Sequence, residues 1–268
     1  MYSAKCLNLT ADKDWKSMRK QGSLIVGLMA AGVAFFAACA PAPVPTTTTT
    51  TTTVAPTTTT VAPTTTTVAP QDCTARGPGV DLQGCNLISA DLISADLTGA
   101  NLTGANLTGA TLILANLTGA NLTDANLTNA NLRVANLTNA NLTDAILTGA
   151  DLSYADMTDA ILTGADLTGT KLENTNLTGA NLTGADLTGA TMDYTILAGA
   201  DLTDANLTNA ILGGVNLTNA NLTNANLTNA NLSGSNLSGA DLTGVIWSST
   251  KCPNGAVQST ECPRTSAG

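Results

Sequence analysis

A chain of 268 residues without a single histidine has a narrow range of side-chain chemistry. Two carboxylates, Asp156 and Asp159, stand close in sequence, and Asp151-Leu152-Ser153-Tyr154 places a hydroxyl beside an acid. A serine nucleophile needs a histidine or an equivalent base, and none accompanies it. The two aspartates read as solvated positions on one corner rather than as an acid–base pair. No enzyme and no cofactor are expected. Neither cysteine pair outside the N-terminal region has zinc-site spacing, and the lack of histidine weakens a metal reading further. Scattered aspartates could suggest calcium, but the nine-residue glycine-rich calcium repeat is missing. The many Asn-Leu-Thr triplets are formal glycosylation acceptors; here repetition explains them.

Cysteines carry the other chemistry. Lys16, Arg19 and Lys20 precede an apolar run from Gly22 to Ala38, and Cys39 follows Phe36-Ala37-Ala38. That is the shape of an export signal, short for a transmembrane helix. Its end resembles a bacterial lipoprotein signal, with Cys39 as the lipidated first residue, although Phe36 departs from that pattern. Residues 1–38 are thus expected to be a signal peptide, with Met18 a possible true start, and Cys6 would be removed with it. The protein is expected on the extracytoplasmic face of a membrane, held by lipid, or secreted. Export permits disulfides. Cys73 precedes the repeats, Cys85 lies in the second unit, and Cys252 and Cys262 bracket the tail. Four cysteines allow three connectivities; a long body between the two groups favours Cys73–Cys85 and Cys252–Cys262.

Residues 39–70 alternate threonine runs with Val-Ala-Pro and cannot bury a core, so a disordered linker is expected. Its ~30 residues in polyproline form would reach on the order of 90 Å, a stalk resembling O-glycosylated ones.

The rest is one five-residue unit repeated: Ala100-Asn101-Leu102-Thr103-Gly104, then Ala105-Asn106-Leu107-Thr108-Gly109. From Leu82 to Trp247 there are 34 consecutive units without an insertion, and only Met157, Met192 and Trp247 replace the leucine. A short fixed period stacks into a solenoid. The pattern resembles the pentapeptide-repeat family. That resemblance implies an all-β, right-handed quadrilateral parallel β-helix with four units per coil, about 8.5 coils, and leucine and alanine pointing inward. The residues agree. Alternation sends leucine one way and its neighbours the other. A corner Leu-Thr-Gly-Ala would put Gly104, Gly109, Asn129 or Asn139 where a type II turn needs φ > 0. Strand spacing of about 4.8 Å makes the body roughly 40 Å long. The repeat domain is expected over 71–249, with a disulfide cap at 250–268.

Every fourth unit shares a wall. On three walls the residue after leucine is almost always threonine, as in Thr103, Thr108 and Thr118. On the fourth it runs Ile93, Ile113, Arg133, Ser153, Glu173, Asp193, Gly213, Ser233, and the next position runs Ser94, Leu114, Val134, Tyr154, Asn174, Tyr194, Gly214, Gly234. Leucine and valine resist φ > 0, so this corner is expected to abandon the type II turn. Arg133, Tyr154, Lys171, Glu173, Asp193 and Tyr194 form a candidate contact face, since aromatic and arginine side chains dominate interface hot spots.

Net charge is −9, and removing residues before Cys39 leaves 17 acidic against 5 basic residues. Binding nucleic acid through phosphates is excluded on that balance. The expected function is a cell-surface structural or protein-binding rod on a stalk, meeting an unnamed macromolecule at the envelope. Two alternatives come from the acidic rod and its threonines. Some cytoplasmic members of the family mimic DNA and act on gyrase, and a lattice of outward Asn and Thr could order water or ice. With no C-terminal helix to dimerise it, the chain is expected to be a monomer.

Overall fold

The protein, seen in a computed structural model, divides into two units, Met1–Thr64 and Thr65–Gly268. Residues 72–262 are described, all in the second unit. The signal, the linker and Cys39 lie outside them.

Backbone bridges in the repeat join residue i to i+20 in parallel, from Asp81–Asn101 to Asn231–Lys251. Four units therefore close one coil of a four-sided parallel β-helix. The donor account of one unit explains its sequence. Leu102 N–H donates to Asn121 O (2.7 Å) and Gly104 N–H to Thr123 O (2.8 Å), both in the next coil. Asn101 N–H donates back to Val80 O (2.9 Å), and Ala105 N–H closes the corner on Leu102 O (3.0 Å). The fifth N–H, that of Thr103, donates to the side-chain Oδ1 of Asn101 (3.3 Å), which also accepts the Thr103 hydroxyl (2.7 Å). This is the local Asx turn that Asn and Asp favour. Only an acceptor oxygen is required, so aspartate serves equally: Asp201 Oδ1 accepts Thr203 N–H at 3.0 Å.

At the third residue of the corner every unit has positive φ, whether Gly104 (62°) or Asn129 (56°). The fourth wall does not depart from this turn, contrary to the sequence expectation. Leu114 (60°), Val134 (59°), Tyr154 (64°) and Tyr194 (61°) adopt it too. Ala135 N–H still closes on Leu132 O (3.1 Å). The physical reason is over-determination. Val134 N–H donates to Ser153 O (3.1 Å) and Tyr154 N–H to Glu173 O (3.0 Å), so bonds to the next coil hold these residues in a conformation they resist.

Leucine side chains fill the interior, with Leu102, Leu132 and Leu152 fully buried, and the alanines pack between them. Met157 and Met192 occupy leucine slots completely buried. Hydroxyls sometimes replace the inward alanine. Thr170, Thr175, Thr195 and Ser235 are buried, and each donates to a leucine carbonyl one coil back, as Thr175 does to Leu152 O (2.8 Å). No buried side-chain nitrogen or oxygen is unsatisfied among the described residues.

Both ends are stapled. Cys73 is bonded to Cys85 (Cα–Cα 5.5 Å) and Cys252 to Cys262 (5.4 Å). The coil path continues past the last recognisable repeat. Thr250 fills an alanine slot and donates to Leu227 O (2.7 Å), Lys251 bridges Asn231, and Cys252 is fully buried where leucine would stand. There the chain turns back as an antiparallel pair, β1 (Thr250–Lys251) with β2 (Val257–Gln258).

Candidate contact wall

Twenty-residue periodicity stacks the fourth-wall residues one above another at about 4.8 Å per coil. Arg133 stands on one coil, Asp151, Ser153 and Tyr154 on the next, Lys171 and Glu173 on the third, and together they line a shallow depression. Arg133 Nη1 lies 3.6 Å from Asp151 Oδ2, and its guanidinium carbon is 5.6 Å from the Tyr154 ring centre. The buried Ser153 hydroxyl contacts Asp151 Oδ1 (2.7 Å) and Glu173 Oε2 (3.1 Å). Thr191 donates to Glu173 Oε1 (2.7 Å), so hydroxyls from the coils on either side hold this carboxylate. Partial burial pushes the Asp151 carboxyl up. The Ser153 hydroxyl and N–H, with the charges of Arg133 and Lys171, outweigh burial and leave it below the usual range.

Asp193 and Tyr194 sit one coil further along. Asp193 Oδ1 accepts Gly213 N–H (2.9 Å). The Tyr194 ring leans over Gly214, where an added Cβ would meet ring carbons at 3.0 Å. The bare Gly213-Gly214 step is therefore what seats both side chains. All six candidate residues share this wall. Sequence reasoning noted Leu114 and Val134 only as awkward corner residues. In the structure Ile93 (52 %), Leu114 (56 %), Val134 (48 %), Tyr154 (54 %) and Tyr194 (69 %) form an exposed apolar ridge beside the charges. The signal for it is the 20-residue register of Leu114, Val134, Tyr154 and Tyr194, with Ile93 in the adjoining column one position before it.

The other candidates resolve into structural roles. Asp156 Oδ1 accepts the Thr158 N–H (3.1 Å) and hydroxyl (2.6 Å), while Asp159 is a corner residue with φ 55°. Asparagines of the Asn-Leu-Thr triplets act as turn caps. On the threonine walls Asn121 Nδ2 also donates to Thr103 Oγ1 (3.0 Å) and Asn221 Nδ2 to Thr203 Oγ1 (2.8 Å), a ladder running between coils.

Against known proteins, a family model described as pentapeptide repeats matches in 8 copies, over residues 79–112 and 115–153 and in overlapping segments from 147 to 246. Among solved structures the chain is similar to HetL, a pentapeptide repeat protein involved in heterocyst differentiation regulation from the cyanobacterium Nostoc. That match has 32% identity, covers 68% of this chain and 92% of HetL, and has a TM-score of 0.46. It is similar also to full-length QnrB1, a plasmid-mediated fluoroquinolone resistance protein, at 18% identity, covering 64% and 92% of the two chains, with a TM-score of 0.52. A pentapeptide repeat protein from the Arabidopsis thaliana thylakoid lumen matches at 37% identity over 39% of this chain and 72% of that one, with a TM-score of 0.29. No curated protein matches.

Proposed function

The chain belongs to the pentapeptide-repeat family, built as right-handed quadrilateral β-helices, and from that premise we propose that it is a non-enzymatic protein-binding rod whose contact face is the fourth wall. One observation carries the reading. On the three threonine walls most outward hydroxyls donate to their own caps, as Thr123 does to Asn121 and Thr208 to Asn206, with single exposed isoleucines such as Ile146 and Ile161 interrupting them, while the fourth wall exposes two tyrosines, an apolar ridge and paired charges. Side chains outside the fold's own bonding are the ones available to a partner, and tyrosine and arginine are the types that anchor interfaces. The same hydroxyl commitments weigh against an ice-ordering surface. A DNA-mimic role calls for an acidic face, whereas Asp156, Asp166, Asp186 and Asp201 act as turn caps on three different walls; the likeness to QnrB1 is one of fold. A gyrase supercoiling assay that the chain leaves unaffected disposes of that alternative.

The test is a pull-down from cell-envelope extract with the full chain as bait, compared with a variant carrying Arg133→Thr, Tyr154→Gly and Tyr194→Gly. The wild type should retain a partner that the folded variant loses. A variant that keeps every partner sinks the contact wall. In this reading Cys39 is the lipid anchor and residues 40–70 the stalk that presents the rod at the cell surface. Cys39→Ser, or globomycin treatment, should leave an uncleaved precursor; normal maturation in both removes the lipid anchor from the proposal.

A further inference from the structure

We propose that the fourth wall pairs two copies of this chain, side by side and antiparallel; the proposal rests on the contact-wall reading and names the occupant of that wall. When two identical solenoids face each other about a twofold axis perpendicular to their length, each lateral position meets its own column with the order of coils reversed. Such an interface is self-complementary only if residues equidistant from its centre match.

They do match about a centre between the Tyr154 coil and the Asn174 coil. One step out on either side, Asp151 meets Lys171, two residues of the same column that bridge within one chain and so share a lateral position. At the next pair of coils, Arg133 meets Asp193 and Val134 meets Tyr194. At the pair after that, Ile113 and Leu114 meet Gly213 and Gly214, bulk against bare backbone. At the outermost pair Ile93 and Ser94 meet Ser233 and Gly234. Charge inverts across the centre at the two inner levels and size at the two outer ones, while Val134 against Tyr194 is an apolar–aromatic contact. The threonine walls carry no such reversal.

The local geometry suits it. Because Tyr194 leans over Gly214, Val134 and Leu114 of the second copy both meet its ring, and both are about half exposed in the single chain. Arg133 leans toward the Tyr154 coil, which brings it to the level of Glu173 as well as Asp193 of the second copy. A parallel pairing would instead set Arg133 on Arg133 and Asp193 on Asp193, like on like, which is repulsive. From Ile93 to Gly234 the strip runs about 35 Å, but it is one corner wide. That area belongs with interfaces that dissociate on dilution. A reversible dimer follows, in place of the monomer expected from the sequence.

The full chain in detergent, taken through a concentration series by sedimentation velocity, should show a monomer–dimer equilibrium. Arg133→Asp and Asp193→Arg should each weaken dimerisation by more than about tenfold, because each sets like charges together, and the two combined should restore it. A chain that stays monomeric at its highest soluble concentration, or a dimer that the combined reversal leaves weakened, overturns the proposal. A second measurement needs no loss of binding. Val134→Cys with Tyr194→Cys should cross-link two chains on oxidation, and Val134→Cys alone should not. Within one chain those positions are three coils, about 14 Å, apart, too far for a disulfide. Cross-linking by Val134→Cys alone would mean a parallel pair and overturn the antiparallel one. A monomeric chain whose wall variant still loses an envelope partner would defeat the dimer and leave the contact wall standing; a dimer whose wall variant loses no other partner would do the reverse.

Discussion

Thr123 and Arg133 stand at equivalent places in their units, two walls apart, on the same backbone. Thr123 gives its N–H and its hydroxyl to Asn121, and Asn121 reaches on to Thr103 in the preceding coil. Arg133 gives only its N–H to Asn131, and its side chain extends to Asp151 and Tyr154. The threonine walls spend their side chains on the fold. The fourth wall keeps N–H caps but commits to them only the hydroxyls of Ser153 and Ser233, and it carries strained corners, Leu114, Val134, Tyr154 and Tyr194 at positive φ. A repeat that already satisfies its N–H groups through coil-to-coil bonds tolerates one wall of foreign side chains, and that tolerance is what makes a specific surface possible on a monotonous scaffold.

The comparison can be probed at four levels. A core deletion should ignore it: Leu132→Ala beneath the fourth wall and Leu142→Ala beneath a threonine wall are both fully buried, and each should cost about 2–5 kcal/mol in denaturant unfolding. Unequal losses far outside that range would mean that the walls differ in core packing and not only in surface. Corner strain should divide the walls with opposite signs. Val134→Gly relieves a left-handed β-branched residue and should raise stability by about 1 kcal/mol. Gly169→Val, where an added Cβ meets nothing within 4 Å, should lower it by about 1–2 kcal/mol through backbone strain alone.

Cap removal should be graded. Asn121→Ala breaks three hydrogen bonds and Asn131→Ala one, so the first should cost about 1–2 kcal/mol and the second about half as much. Equal costs would show that the ladder adds nothing to the cap. The smallest effect concerns acid. Burial raises Asp166, but hydrogen bonds from the hydroxyl and N–H of Thr168 and the hydroxyl of Thr148 hold it below its ordinary 3.8; Asp151 is likewise lowered. A carboxyl with a depressed folded pKa contributes stability that is fully present above 3.8 and is lost as pH falls through the folded value. Both walls should therefore weaken only below about pH 4, and Asp151→Asn should flatten that acid limb measured by thermal unfolding. A stability loss centred near neutral pH would contradict it.

Much of this is legible in the sequence. Leucine at every fifth place, with alanine two before it, names the interior, because only the smaller and larger apolar residues alternate in a narrow square core. The fourth wall was legible as a column, since a period of 20 is arithmetic. The path beyond Trp247 was not, because Thr250-Lys251-Cys252-Pro253-Asn254 shares only its final asparagine with the common unit and is recognised by Cys252 filling a leucine slot and Thr250 an alanine slot. The role of Asn-Leu-Thr was hidden as well, since a sequon and a turn cap are the same letters.

Sequence by itself determined the period, the inward positions, the number of units and the wall on which the foreign residues fall, because side-chain polarity and spacing act locally and repeat. Tertiary structure alone decided what happens at a corner occupied by leucine, valine or tyrosine. Local propensity argued for a different turn there. Hydrogen bonds to the coils above and below overruled it, since a coil that failed to close at one corner would lose its register with both neighbours at once.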